Sequence, residues 1–502
     1  MQAVRQMGES RENTMKKPNA VQTVLSVASC KATRAVLRKT GRGGTALPGL
    51  VAMRAAKNIL AKVSDGMQIV VVTGTNGKTT SCNMIEHALT YGGHDCLRDK
   101  SGANMLHGIA ADLISESDWR GNARHPYAVL ECDEAALKLL VQYIEPRAIV
   151  VTNLFSDQVD RYGGVQNTLE EIRAGIKGSP KSVLVLNAED PLSASLAQNV
   201  PNRIIWYGLE KSVGVQGNVD LSDAGVCPVC GSEYTYDYHI YAQLGGFRCP
   251  KCGYSRQMPD VAVLSIDKKD TSGSTIRLET DGVTQEVHVA LPAVYNVYNA
   301  AGTVAAVKAL GLPAQEAIDS LSSVRSAFGR LETFDLDGIR LQMILVKNPA
   351  GCNQAFSYVT GFDQDFSAVL CLNNRTGDGH DISWIETTDY EKLVADPHLK
   401  KIYVGGDCAD QLWARLEKAA GKEHSAAADT ADAADYIDAA DGMNAADHLN
   451  MKNRMERITD YRRLPDLLKA DGRPVFILPN YTAMMELRQV LTPATGNKEF
   501  WE

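Results

Sequence analysis

No apolar stretch of this chain approaches the run of about 20 residues that a bilayer-spanning helix needs, which excludes a transmembrane segment. Residues 1–20, MQAVRQMGESRENTMKKPNA, carry charge and little apolar surface, so they are not expected to act as a secretory signal and are expected to form a disordered tail. Nor is there an excess of positive charge. The net charge of -8 argues against nucleic acid as a partner, although the first forty residues are locally basic and suit an anionic surface. A disulfide framework is absent too, since the eleven cysteines are scattered and only four stand in paired spacing. These absences predict a cytoplasmic protein, with at most a peripheral contact at the inner face of the membrane. At 502 residues the chain is too long for one core, because single cores stop growing at about 250–300 residues.

What is present begins with residues 69–89, IVVVTGTNGKTTSCNMIEHAL. The apolar run Ile69 to Val72 reads as a parallel strand covered on both faces, and Met84, Ile85, Ala88 and Leu89 recur at helical spacing behind it. Between them lies the turn Gly74-Thr75-Asn76-Gly77, which ends in Lys78-Thr79-Thr80. Strand, glycine turn and helix in that order form a cradle for a nucleotide triphosphate. Gly74 and Gly77 let backbone N–H groups approach an anion without a Cβ in the way, and the helix N-terminus adds its positive end. Lys78 is expected to neutralise the β and γ phosphates of ATP, and Thr79 to hold Mg²⁺. The loop is shorter than G-x-x-x-x-G-K-[ST], because Val72 stands five positions before Gly77.

Further on, strand and helix patterns alternate. Tyr127–Glu131, Ala148–Thr152 and Ser182–Leu186 are short apolar runs that stop at polar residues, and helical segments such as Asn167–Lys177 follow them. This predicts an α/β fold with a parallel sheet and crossover helices. Ligands in such sheets lie at the carboxyl ends of the strands, so Glu131, Asp133, Glu134, Asn153, Asn187 and Asp190 are expected to point toward the phosphate loop. Residues 21–62 read as two helices around the turn Gly41 to Gly44, and another helix is expected over Asn296–Leu310. The central ATP-binding domain is drawn over residues 21–335. Residues 336–502 start again with strands Leu341–Val346, Ser367–Leu372, Lys401–Val404 and Val475–Leu478, and are read as a smaller C-terminal α/β domain. Within it, residues 419–448 are rich in alanine, with aspartate at every third position from Asp429 to Asp441, and are read as a solvated, weakly helical or disordered insertion without chemistry.

Residues 221–257 interrupt the central pattern. Cys227-Pro-Val-Cys230 and Cys249-Pro-Lys-Cys252 are two C-x-x-C knuckles separated by eighteen residues. Four thiolates at that spacing surround Zn²⁺ with no coordination position left open, so the site is read as a structural zinc site. The stretch with Tyr234, Tyr236, Tyr238 and Tyr241 supplies the hairpin of a zinc ribbon, and so small an insert draws its folding energy from the metal. The ribbon serves either to shape a domain or partner surface, or to touch nucleic acid. Its tyrosines and few arginines, in an acidic chain, favour the first use.

The segments V-T-G-T-N-G-K-T-T, E-C-D-E (131–134), T-N-L-F-S-D-Q-V-D-R-Y-G (152–163), L-N-A-E-D-P (186–191), Y-N-V-Y-N-A (295–300) and F-G-R (328–330) together resemble the Mur ligase family. That resemblance spans residues 35–335 and implies the family's central ATP-binding domain. Three further features, the cysteine insert, K-N-P-A-G (347–351), and D-G-H-D-I-S-W-I (378–385) with I-L-P-N-Y-T (477–482), resemble the branch that forms the ligase subunit of a glutamine-hydrolysing amidotransferase. The resemblance implies that ATP converts the D-glutamate α-carboxylate of the peptidoglycan stem peptide of lipid II to an acyl phosphate. Ammonia then displaces phosphate and gives D-isoglutamine. It implies a heterodimer in which a separate glutaminase subunit, GatD, supplies the ammonia, and this chain holds no glutaminase signature of its own.

By motif position, Asp381 would complete the partner's Cys-His pair, with Asp378 as the other carrier; a catalytic imidazole needs such a carboxylate to fix its tautomer. The resemblance also makes Glu131 a Mg²⁺ ligand beside Thr79, Asn296 and Asn299 nucleotide contacts, and Arg330 a cation that reaches the γ-phosphate on closure. Where most Mur ligases carry an aspartate-histidine motif, this chain has Ile344 to Pro349, and Lys347 there either meets the acyl phosphate or ends a strand in solvent. Two rival readings share some of these motifs: a stand-alone ligase that adds an amino acid, as folylpolyglutamate synthase does, and a zinc-ribbon ATPase that binds nucleic acid.

Overall fold

The structure, a computed structural model, describes residues 16–39, 45–97, 102–155, 164–213, 225–270, 272–325, 330–428 and 453–495. Outside these lie most of the expected tail, the turn at 41–44, motif residues 156–163, Phe328, Gly329, and residues 429–448 of the alanine-aspartate stretch. The chain divides into two compact units after Arg325.

In the first unit, strands β1 (Gln68–Thr73), β2 (Cys96–Leu97), β3 (Tyr127–Glu131), β4 (Ala148–Val151), β5 (Val183–Asn187) and β6 (Ile204–Leu209) run parallel. The hairpin β7 (Thr235–Tyr241) and β8 (Leu244–Arg248) forms a separate two-stranded sheet. Strands β9 (Val261–Asp270), β10 (Gly273–Thr280) and β11 (Val283–Val289) then extend the main sheet to the order β11-β10-β9-β6-β5-β4-β1-β3-β2. Strand β9 adds parallel to β6, and the last two pairs are antiparallel. The interiors of strands β1, β4 and β5 are apolar because helices cover both faces: Val70, Val71, Ile149, Val150, Leu184 and Val185 are all buried. Burial of each such side chain contributes about 1.5–3 kcal/mol. Strand β1 lies between β3 and β4, with the chain running to β2 and β3 on one side and to β4, β5 and β6 on the other. The glycine turn therefore leaves the sheet at its topological switch point, where ligands of open α/β sheets bind.

Before β1, the second expected helix is split in two, Leu47–Ala55 and Ile59–Val63, because Ala56 is extended. The helix expected over Asn296–Leu310 spans Val294–Ala309.

The second unit starts earlier than drawn from the sequence. Strand β12 (Arg330–Leu336) turns at Asp337-Gly338 and pairs antiparallel with β13 (Ile339–Ile344), so residues 330–335 belong to the second sheet. Its other strands are β14 (Phe366–Cys371), β15 (Leu399–Gly405), β16 (Met455–Arg457) and β17 (Val475–Pro479), in the order β12-β13-β17-β14-β15-β16, with β13 to β16 parallel. Its core is Phe334, Leu341, Met343, Val369, Tyr403, Ile477 and Leu487 among others. The helix Ala409–Ala428 runs ten residues into the stretch expected to be solvated, as its alanines favour.

Candidate active site and metal centre

Glycine turn, helix start and strand ends assemble one polar cradle. Gly77 caps the helix Lys78–Tyr91 with φ +85°, and a Cβ there would lie 2.6 Å from Asn299 Oδ1. Gly74 has φ +119°, and a Cβ there would lie 2.4 Å from Thr152 Oγ1. Only glycine fits both positions. The loop is bonded to the end of β4: Thr75 N donates to Asn153 O (2.8 Å), Asn76 N donates to Asn153 Oδ1 (2.9 Å), and Phe155 N donates to Thr75 Oγ1 (3.0 Å). Thr80 is buried one turn behind.

The reactive side chains converge on this loop. Lys78 Nζ lies in a buried ion pair with Glu134 Oε1 (2.8 Å) and donates to Gly74 O (2.5 Å). Thr79 Oγ1 donates to Glu131 Oε2 at 2.8 Å, so the hydroxyl and the carboxylate expected to share Mg²⁺ are already adjacent. Two hard oxygen donors at a phosphate loop suit that ion. From the helix Val294–Ala309, Asn299 Oδ1 accepts from Ser81 Oγ (3.3 Å), while its Nδ2 donates to Asn296 Oδ1 (3.2 Å). Asn296 in turn donates to Pro292 O (2.6 Å) and so orients Asn299.

Three residues expected to face the loop are engaged in local backbone hydrogen bonds. Asp133 and Asp190 accept backbone N–H groups at the starts of the helices Glu134–Leu140 and Pro191–Ser195, and Asn187 Oδ1 accepts Glu189 N (3.0 Å). Unpaired N–H groups of a helix start capture a carboxylate placed just before it.

The four cysteines form a cluster whose sulfurs all lie within 4.8 Å of one another, with Cys227–Cys252 at 3.6 Å and Cys230–Cys249 at 3.5 Å. A tetrahedron of thiolates at about 2.3 Å from a metal has sulfurs about 3.8 Å apart, so the donor set fits. The hairpin behind the cluster is anchored to the nucleotide-binding sheet in a way the spacing of cysteines did not reveal. Fully buried Glu189 accepts from Arg256 Nε (3.1 Å), Tyr238 OH (3.2 Å), Tyr298 OH (2.7 Å) and Leu209 N (2.8 Å). Burial pushes its carboxyl up to about 7 although Arg256 and the other donors pull it down. Beside it, burial pushes Asp190 up to about 7, against bonds from Leu154, Leu192, Ser193 and Gln243. At the hairpin tip Gln243 Nε2 donates to Leu154 O (2.6 Å), and Tyr241 stacks on Phe155 with ring centroids 6.2 Å apart. The ribbon thus grips the segment that holds Thr75.

In the second unit the D-G-H-D loop follows β14. Asp378 accepts Thr482 N (2.8 Å) and Oγ1 (2.5 Å), and Arg375 is held by Asp407 (2.7 Å) and Glu486 (2.6 Å). Asp381, half-buried, accepts Ser383 N at 2.7 Å. Asn373, Asp407, Arg457, Tyr461 and Glu486 line a cavity of about 380 Å³ in this unit. Lys347 is half-buried just before Asn348, which caps the helix Pro349–Val359. Arg330 is the first residue of β12.

The chain is 32% identical over 476 residues to subunit MurT of the glutamine-hydrolyzing lipid II isoglutaminyl synthase of Streptococcus pneumoniae (strain ATCC BAA-255 / R6), a match covering 94% of this chain and 97% of that protein. The chain belongs to the MurT family. The subunit MurT of Staphylococcus aureus (strain COL) is 31% identical over 78% of this chain and 86% of its own length. Family models agree: the Mur ligase middle domain matches residues 72–240, and the MurT ligase C-terminal region matches residues 345–484. A pseudomurein peptide ligase type C from Methanothermus fervidus shares the fold, with a TM-score of 0.60 at 18% identity over 85% of this chain and 79% of that one.

Proposed function

We propose that this chain is the MurT subunit of a glutamine-hydrolysing lipid II isoglutaminyl synthase, which amidates the D-glutamate α-carboxylate of lipid II. The observation that carries this reading is the meeting of Lys78, Thr79 and Glu131 at one loop in a chain similar to MurT over 94% of its length. ATP and Mg²⁺ are its cofactors: Gly74 to Thr80 hold the phosphates, Thr79 and Glu131 the ion, and Asn299 the nucleotide. The substrate carboxylate oxygen attacks the γ-phosphorus and ADP departs; ammonia then attacks the acyl carbon, inorganic phosphate leaves, and the nitrogen loses a proton. Lys78 balances the charge that develops on the transferred phosphoryl group. Arg330 is assigned to the same phosphoryl group by its motif, and Zn²⁺ to the cysteine cluster as a structural ion.

Ammonia comes from a glutaminase partner, GatD, whose Cys-His pair Asp381 completes. Motif position gives that role to Asp381; Asp378, the other carrier, is bonded to Thr482 and to Arg375 N. The test is glutamine-dependent amidation of lipid II by this chain co-purified with its glutaminase. Asp381→Asn stops glutamine hydrolysis and leaves amidation with ammonium salts intact; glutamine turnover that persists in this variant rejects the assignment. Lys78→Ala stops amidation from either nitrogen source.

A further inference from the structure

The helix Ala20–Lys39 is turned inside out relative to ordinary amphipathic packing. Its buried residues are Thr23, Ser26, Val27 and Cys30, and Ser26 Oγ donates to Ala52 O (2.8 Å). Four of its large apolar side chains face outward: Val21 is 69% exposed, Val24 45%, Leu25 59% and Val36 60%. Ala32 and Ala35 are exposed with them. At 100° per residue these positions fall on one stripe about 120° wide and, from Val21 to Val36, about 23 Å long. A stripe of that width ordinarily faces a core.

Charge identifies what the stripe meets. The helix carries Lys31, Arg34, Arg38 and Lys39 and no acidic residue, in a chain whose net charge is -8. Lys31 and Arg38 flank one margin of the stripe. Arg34 pairs with Asp112, and Lys31 lies 4.9 Å over the ring of Trp119, which is itself 58% exposed. An outward apolar stripe, a basic margin and an exposed tryptophan are the elements of a helix that lies in the headgroup layer of an anionic bilayer. No described helix is long and apolar enough to cross a membrane, so contact of this kind is superficial.

We propose that the outward face of the helix Ala20–Lys39, with Trp119 beside it, docks on the acidic phospholipid surface. The helix geometry carries this independently; the benefit, delivery of the ligase to a lipid-linked substrate, rests on the function proposed above. Full-length protein is sedimented with phosphatidylglycerol vesicles and with phosphatidylcholine vesicles. It binds the anionic vesicles at least tenfold more tightly, less so in high salt, and V24E/L25E lowers that binding at least tenfold. The milder V24S/L25S, which introduces no charge, weakens binding by a smaller factor, and R38E, on the margin, weakens it without touching the stripe. All three variants keep full amidation of a water-soluble stem-peptide substrate but slow amidation of lipid II in vesicles. Equal binding to both vesicle types, or unchanged binding by V24E/L25E, overturns the proposal. So does a wild-type dimer that V24E/L25E converts to monomer, or loss of glutaminase co-purification in that variant, since a second copy or the partner would then own the face. Vesicle binding without amidation of either substrate leaves the docking face standing and rejects the proposed function.

Discussion

At the scale of single residues, the phosphate loop is tuned by contacts too close to tolerate even a methyl group. Gly77→Ala places a Cβ in the left-handed region and against Asn299 Oδ1, at a cost of about 1–2 kcal/mol for the backbone alone. The expected outcome is a rise of roughly tenfold in the KM for ATP, since 1.4 kcal/mol corresponds to a factor of ten. Asn299→Ala removes the clash but also the side chain assigned to the nucleotide, so an ATP titration of the double variant shows no recovery. Lys78→Ala removes the ammonium and lowers kcat by about 100-fold or more, the scale seen when one preorganised transition-state donor is lost. A variant that amidates at the wild-type rate disproves the role given to Lys78. Much of this site was legible in the sequence, because glycine, lysine and threonine at fixed offsets leave few other folds. The partner of Lys78 was less so: Glu134 stood in a quoted motif, but its pairing across 56 positions depends on β1 and β3 being neighbours.

Elements show where such reading stops. The two cysteine knuckles announced a ribbon, yet nothing in their spacing pointed to Glu189, whose partners Arg256 and Tyr298 lie 67 and 109 residues away. Only the order of strands brings them together. Similarly, the boundary drawn at 335 followed the helix-strand rhythm and missed the antiparallel turn at Asp337-Gly338, which ties residues 330–336 to the second sheet. Glu189→Ala leaves Arg256 without its buried carboxylate and is expected to destabilise the first unit by about 3–5 kcal/mol, as read by thermal unfolding. The same carboxyls give a pH signature. Glu189 and Asp190 are raised to about 7 in the fold, against about 4 in an unfolded chain. The folded state therefore holds more protons in that window, and the stability this contributes is present below about pH 4 and lost as pH rises through about 7. The melting temperature of the first unit is expected to fall by a few degrees from pH 6 to pH 8, with a shallower fall in Glu189→Gln; a rise over that range contradicts it.

On the scale of the whole molecule, two separate apolar cores predict two thermal transitions rather than one. Mg-ATP at 100 times its Kd stabilises the unit that binds it by about 2.7 kcal/mol, so the transition of the first unit, which carries the phosphate loop, is expected to move further than that of the second, which contributes Arg330 alone. A zinc chelator is expected to lower that same transition, since Gln243 and Tyr241 pass the order of the ribbon to Leu154 and Phe155. Calorimetry in which both transitions shift together under either ligand counts against independent cores.

Glu134, held against Lys78, also sets the terms on which the enzyme meets the anions around it. A lone orthophosphate arriving at the loop encounters a neutralised cation and a repelling acid, and gains little by staying. Nucleotide escorted by magnesium brings positive charge toward Glu131 and Glu134, and is expected to be preferred over the free phosphate that the proposed reaction releases.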